Sequence, residues 1–238
     1  MKKGFVLLAF LLTSTCQIMA EGSKESPFSA TLELMSKYVW RGIEYGTAPT
    51  LAPSLNFSSQ GFSAYAMGAY STDGSHQEVD LGISYSAHEF TLGISDYYYP
   101  SSVGEKDHYF KLSNRETGHS VEAYANWTGT KIPLWVTLSS YIFGADKNPE
   151  GKQMYSSYAE IGYKHSFTED NKISVCVGAN LNKGFYTNYE SGFNVVNLNA
   201  KYETAFKFGS YKLPVSASYI LNPYINKSYF TMSLYFGL

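Results

Sequence analysis

Tyr155-Ser156-Ser157-Tyr158-Ala159-Glu160-Ile161-Gly162-Tyr163-Lys164 is the stretch that decides how this chain folds. On an extended backbone successive side chains point to opposite faces. Tyr155, Ser157, Ala159, Ile161 and Tyr163 therefore share one side, and Ser156, Tyr158, Glu160, Gly162 and Lys164 the other. One face is mostly apolar; the other carries both charges. The same period of two runs outward in each direction. Ile173, Val175, Val177, Ala179 and Leu181 alternate with Ser174, Cys176, Gly178 and Asn180, and Val196, Leu198, Ala200 and Tyr202 with Val195, Asn197, Asn199 and Lys201. Toward the N-terminus, Val121, Ala123, Ala125 and Trp127 alternate with Glu122, Tyr124 and Asn126, and Val79, Leu81 and Ile83 with Glu78, Asp80 and Gly82. Leu32, Leu34, Ser36, Tyr38 and Trp40 alternate with Glu33, Met35, Lys37, Val39 and Arg41.

Twelve such segments are predicted, near 30–41, 50–58, 61–71, 77–86, 89–99, 119–128, 132–143, 154–166, 172–182, 193–203, 211–221 and 228–238. Most have the ~9–11 residues a tilted strand needs to cross a bilayer, and an even count suits a closed antiparallel barrel. The connections sort by parity. Ser58 to Gln60, Ala87-His88, Gly129 to Lys131, Phe167 to Asn171 and Glu203 to Ser210 are brief. Those between them, Gly42 to Pro49, Thr72 to His76, Pro100 to Gly118, Gly144 to Gln153, Asn182 to Gly192 and Asn222 to Lys227, are mostly longer. Short periplasmic turns alternating with longer outer loops characterise an outer-membrane barrel; a soluble sandwich has no reason to sort them so. The expected fold is all-β: a closed up-and-down antiparallel transmembrane β-barrel of about twelve strands, residues 21–238.

Composition agrees. The chain has 22 Tyr, 15 Phe and 3 Trp, aromatics that favour sheet and suit a membrane–water boundary. Lys2 and Lys3, the apolar run Gly4 to Leu12 and a small residue at Ala20 read as a secretory signal over residues 1–20, too short to span a bilayer. Removing it leaves 16 basic against 20 acidic side chains, a formal net charge of −4, which offers nothing to a nucleic acid. Cys176 is then a lone cysteine, read as a small inward filler, and a single thiol forms no intramolecular disulfide. Phe230, Met232, Leu234, Phe236 and Leu238 make an apolar stripe expected to face outer-membrane lipid. The barrel-assembly machinery is the expected reader of this last strand, although Leu238 stands where Phe is usual.

The run Ser36-Lys37-Tyr38-Val39-Trp40-Arg41-Gly42 resembles the TorF family of porin-like proteins, whose members carry Ser-x-Tyr-x-Trp-Arg-Gly near the mature N-terminus. Gly61-Phe62-Ser63-Ala64-Tyr65, Glu78 to Gly82 and Asp96 to Pro100 extend the likeness, which fades in the C-terminal half. Ile43-Glu44-Tyr45 departs from the family's Ser-Gln-Thr. The resemblance implies an outer-membrane barrel and pore formation.

Glu33, Lys37, Arg41, Glu78, Asp80, Glu122, Asn126, Glu160, Lys164, Asn180, Asn197, Asn199 and Lys201 fall on polar faces and are expected to line the lumen, where such groups select what passes. Pairing across strands, which only solvates or plugs the interior, is the structural alternative. Both signs occur, so no ion preference follows. Tyr65, Tyr97, Tyr99, Tyr124, Trp135, Tyr141 and Tyr158 also fall inward, where they narrow or close the bore or stand at its rim. Trp40 is expected to anchor at the lipid interface, Arg41 to be a lumen charge or to pair with a carboxylate, and Gly42 to turn the chain out of its strand.

The expected function is passive passage of ions or small solutes across the outer membrane of a Gram-negative cell. A non-conducting barrel whose outer loops, above all Pro100 to Gly118, bind a partner stays open, as does a hydrolase built on His119-Ser120. No Gly-x-Ser-x-Gly elbow or phosphate loop is present, and the five histidines are scattered, so no catalytic residue, cofactor or metal is expected.

Overall fold

The structure, a computed structural model, describes residues 26–100 and 108–237. The signal segment 1–20, the loop residues Glu105, Lys106 and Asp107, and Leu238 lie outside the described residues. Among the described residues fourteen strands run in chain order: β1 (Phe28–Met35), β2 (Tyr38–Trp40), β3 (Ile43–Tyr45), β4 (Thr50–Ser59), β5 (Phe62–Ser71), β6 (Gln77–Ala87), β7 (Phe90–Tyr98), β8 (His119–Thr128), β9 (Leu134–Gly144), β10 (Ser157–Ser166), β11 (Lys172–Asn180), β12 (Asn194–Phe208), β13 (Tyr211–Asn222) and β14 (Lys227–Gly237).

Twelve of them, all but β2 and β3, close into an antiparallel barrel in which every neighbour in space is the neighbour along the wall. Closure is made by β1, whose Leu34 lies opposite both Leu234 of β14 and Leu51 of β4. A closed ring leaves no strand edge, so every wall strand is hydrogen-bonded on both sides. The alternation then has one consequence. Leu55, Leu92 and Phe230 point out of the wall and stay 62–65% exposed, while Glu33, Asp80 and Glu122 point in and are at most 7% exposed. An apolar exterior over the whole wall is an aggregation hazard in water and a good match for hydrocarbon.

Turn lengths sort mostly as expected, the link over 223–226 being no longer than those over 129–133 and 167–171. Gln60-Gly61 and Gly209-Ser210 are two-residue links, and Gln60, Gly61 and Gly209 have positive φ, as tight hairpins of this twist require. Two expected segments differ. The segment 30–41 leaves the wall at Met35, and residues 38–45 form a separate hairpin; the alternation persists across the break because β2 is itself a strand. The segment 193–203 continues to Phe208, since Phe206 lies opposite Leu213 and Phe208 opposite Tyr211 in a hairpin that runs on to its tip.

Inward glycines carry much of the wall's packing. Tyr65 lies over Gly82, Tyr124 over Gly93, Trp135 over Gly162 and Tyr158 over Gly178, each ring resting on a neighbouring strand. A Cβ at Gly162 would meet the indole of Trp135 at 2.0 Å. Gly162→Val is expected to lower stability by ~1–3 kcal/mol through overpacking. Urea unfolding, followed by the heat-modifiable mobility of the barrel, checks this; an unshifted midpoint would show that the ring is free to leave its seat.

At the short-turn end Asp170 accepts from Lys212 Nζ at 3.0 Å and meets Lys207 Nζ at 3.3 Å, tying the β10–β11 turn to the β12–β13 tip. The Lys212 and Lys207 contacts hold this half-buried carboxyl below its ordinary range. A lowered carboxylate pKa gives a contribution present above the ordinary value and lost as pH falls through the lowered one. Hydrogen exchange at residues 206–212 should accelerate on acidification below the usual carboxylate range. Asp170→Asn should abolish that pH step, and a step surviving in this variant would assign it to another group.

Candidate functional site: the inner hairpin and the chamber beneath it

The lumen is organised by the segment that leaves the wall. Ser36 ends β1 by donating its backbone N–H to the Met232 carbonyl at 2.8 Å, while Met232 N–H donates to Ser36 Oγ at 2.9 Å. The chain then turns inward. Tyr38 pairs with Tyr45, Val39 with Glu44 and Trp40 with Ile43 around the two-residue turn Arg41-Gly42. Both turn residues have positive φ, 49° and 79°, which suits the strand twist of a tight hairpin. Only glycine fits at position 42: a Cβ there would lie 2.0 Å from the Val196 carbonyl oxygen. Asn222 Nδ2 donates to the Gly42 carbonyl at 3.1 Å and completes the seat of the tip.

Two irregularities in the wall face this tip. The β11–β12 register shifts between Gly178 and Ala179, so that Val195 and Asn197 find partners and Val196 does not. Val196 thereby turns inward and is fully buried, a correction to its expected place on the outer apolar face. The β8–β9 register shifts between Val121 and Glu122, beside the carboxylate that meets the hairpin.

Arg41 is the centre of the plug. Its Nη1 donates to Glu122 Oε1 at 2.6 Å and its Nη2 to Oε2 at 3.2 Å, a two-point contact. Nη1 also donates to the Tyr186 hydroxyl, and Tyr97 OH donates to Glu122 Oε2 at 2.9 Å. The guanidinium lies 4.2 Å from the Trp40 ring centroid and 4.4 Å from that of Tyr158. Tyr186 belongs to a short 3-10 turn, Phe185–Thr187, that reaches inward between β11 and β12 and is held by Phe185 N–H donating to Ser156 Oγ at 2.7 Å. Wall residues Ala52, Ala69, Tyr97, Tyr141, Tyr158 and Val196 pack with Met35, Tyr38, Trp40 and Tyr186 in one buried cluster. These wall residues come from β4, β5, β7, β9, β10 and β12, so the cluster spans the bore. Small Ala52 and Ala69 leave room on one side; tyrosines close on the other.

Below the cluster, toward the short turns, lies a cavity of about 800 Å³. Nine of the thirteen residues expected in the lumen line it: Glu33, Lys37, Arg41, Asn126, Glu160, Lys164, Asn197, Asn199 and Lys201. Arg41 forms its ceiling. Lys37 sits just past β1, paired with Glu44 of the hairpin at 2.5 Å, and Lys164 pairs with Glu203 at 3.4 Å. Glu160 accepts from Tyr158 OH at 2.6 Å, from Trp135 Nε1 at 3.1 Å and from Asn197 Nδ2 at 3.1 Å. Glu78 and Asp80 lie buried on β6, with His76 Nε2 2.9 Å from Glu78. Asn180 donates to the carbonyls of Asn182, at 2.9 Å, and Gly192.

Other expectations are corrected. Trp40 stands in the bore, 8% exposed, and anchors the plug instead of the lipid interface. Tyr38 is likewise inside, because the chain reverses at Ser36. Residues 43–45, expected in an outer loop, form β3. The parts missed in the sequence are the inward turn at Phe185–Thr187 and the hairpin itself. Arg41-Gly42, flanked by alternating apolar residues, was a hairpin signal that the continuing period masked. His119 has Nδ1 2.7 Å from Asp96 Oδ2 and Nε2 2.6 Å from the Tyr109 carbonyl, on the outer side of the wall. Ser120 faces the bore, so the adjacent pair forms no nucleophile–base dyad.

No protein family matches the chain, and no curated protein does. Among solved structures, an outer membrane channel from Pseudomonas putida F1 aligns at 12% identity over 91% of this chain and 96% of its own, TM-score 0.44. The translocator domain of autotransporter NalP from Neisseria meningitidis aligns at 12% identity over 88% and 86%, TM-score 0.41. A mutant porin of Rhodopseudomonas blastica aligns at 10% identity over 89% and 99%, TM-score 0.36. At this distance the function rests on the chain's own geometry.

Arg41→Ala leaves Glu122 buried without its charged partner, a change expected to lower stability by ~3–5 kcal/mol. The double variant Arg41→Met, Glu122→Gln should recover most of that loss in urea unfolding. Equal losses in single and double variants would show that Glu122 finds water or another cation once the arginine is gone.

Proposed function

We propose that this protein is an outer-membrane β-barrel that works as a gated channel for ions or small solutes, closed in the conformation described. The observation that carries the reading is that β2 and β3 pair only with each other and make no ladder with the wall. The plug can therefore leave its seat without unzipping a single barrel strand. Its attachments are side-chain contacts, chiefly Arg41 to Glu122 and Tyr186, together with Asn222 on the Gly42 carbonyl. Beneath it the charged chamber supplies the vestibule that solutes reach first from the short-turn side. The apolar exterior and the sorting of turns by length support the outer membrane as its location, with the short turns toward the periplasm. The likeness of Ser36 to Gly42 to the TorF family supports the same reading, because those residues form the exit from β1 and the plug's tip. Flow follows the gradient, and Glu160, Lys164 and Lys201 are the wall charges that act on it.

The filled bore favours a second reading, a non-conducting barrel whose loop from Pro100 to Gly118 binds a partner. Planar-bilayer recording separates the two. Wild type should be mostly closed, Arg41→Ala should flicker, and replacing residues 37–47 by a short Gly/Ser linker should give steady conductance. A folded barrel without its hairpin that never conducts rejects the channel and leaves the second reading.

A further inference from the structure

The chamber wall at β8, β9 and β10 brings together groups that no ion pathway needs. Trp135 lies flat over Gly162, so one face of the indole rests on the backbone and the half-buried ring turns its other face to the cavity. Its Nε1 is fixed by Glu160, and that carboxylate is in turn fixed by Tyr158 and Asn197. Asn126 lies opposite Thr137, two rungs from the Thr128–Trp135 pair and so on the same face, and lines the same cavity. It is 6% exposed, yet neither its amide nitrogen nor its amide oxygen has a partner among the described residues. Across the bore, Glu33, 7% exposed, has one carboxylate oxygen equally unmet. Buried side-chain polar atoms are normally satisfied, so a donor and two acceptors left unmet in the wall of one cavity mark groups that a ligand's polar atoms would satisfy.

The combination selects among ligands. An inorganic anion such as sulfate would be drawn to Lys37, Lys164 and Lys201 along the same cavity, but it brings no donor and would leave the open acceptors of Asn126 and Glu33 unmet. An apolar molecule would leave all the open groups unmet. A sugar ring satisfies both demands, with a C–H face for the indole and hydroxyls that donate and accept at once. We propose that the chamber binds a neutral carbohydrate of one or two rings, stacked on Trp135 and held by Asn126 and Glu160. The cavity, about 800 Å³, lies within the ~300–1,000 Å³ usual for small-molecule sites. This deepens the channel reading by naming the solute class. It rests on the lumen being open to solutes from the short-turn end, and it does not need the plug to move.

The folded full chain in detergent is titrated with glucose, maltose and sucrose, followed by calorimetry and tryptophan fluorescence, with sodium sulfate and glycine as comparison solutes. At least one sugar should bind saturably. Asn126→Ala and Trp135→Leu should each weaken it at least about tenfold, the scale of one lost contact, while Trp135→Phe keeps most of the affinity. If Trp135→Leu fails to fold, Asn126→Ala, which leaves the indole on Gly162, carries the test. The proposal is overturned if none of the three sugars saturates, if sulfate or glycine binds as tightly, or if Asn126→Ala changes nothing. Sugar binding by a barrel that never conducts would sink the channel and keep this site; conductance without sugar binding would sink this site alone.

Discussion

A ring of twelve strands encloses a bore that its own inward side chains do not fill. Eight strands bring opposite walls close enough for side chains to meet, and sixteen to eighteen leave an aqueous hole. This barrel lies between, and its interior is a response to that width. The chain lends the bore a hairpin, Tyr38 to Tyr45, and a short turn at Phe185–Thr187, and with them tyrosines from several wall strands close one level. The opposite half is left as a chamber. Outer apolarity, inner polarity and the need for an inserted element all follow from closing the sheet at this circumference.

Placing an arginine at the centre of such a plug is a choice with consequences. Removing a guanidinium and a carboxylate from water is strongly unfavourable, and their attraction offsets it only when further hydrogen bonds complete the arrangement. Here Tyr186, Tyr97 and the faces of Trp40 and Tyr158 complete it. The contact is therefore directional. A purely hydrophobic tip would hold at many depths and rotations, whereas a two-point contact to Glu122 defines one. The register shifts at Val196 and at Glu122 adjust the wall to that single pose, which is why both occur beside the hairpin's tip and not at random around the ring.

Much of this was legible in the residues. The period of two locates the wall strands, the parity of connection lengths separates the two ends, and Glu33, Glu122 and Lys201 fall on the polar side of that alternation. What escaped did so for identifiable reasons. Leu34, Ser36, Tyr38 and Trp40 keep alternating through the point where the chain leaves the wall, since a strand inside the bore has the same period as one in the sheet. Val196 looks like the next outward residue after Leu198, and only the bulge, a matter of pairing with another strand, turns it around. The turn at Phe185–Thr187 carries no periodic signal. Local pattern specifies which residues are extended; it does not specify which partner an extended segment takes.

The position of the hairpin in the chain has a consequence for assembly. The seam that shuts the ring joins β1 to β14, the first and last wall strands along the chain. The hairpin hangs directly from β1 and rejoins the wall at β4. Strands β4 to β14 can zip in chain order as a curved open sheet, but the inserted element has its pocket only once Glu122, Val196 and Asn222 stand around it. Sealing the cylinder and stoppering it are thus neighbouring events at one joint, and a nascent barrel that shuts first would have to admit its stopper through the long-loop mouth.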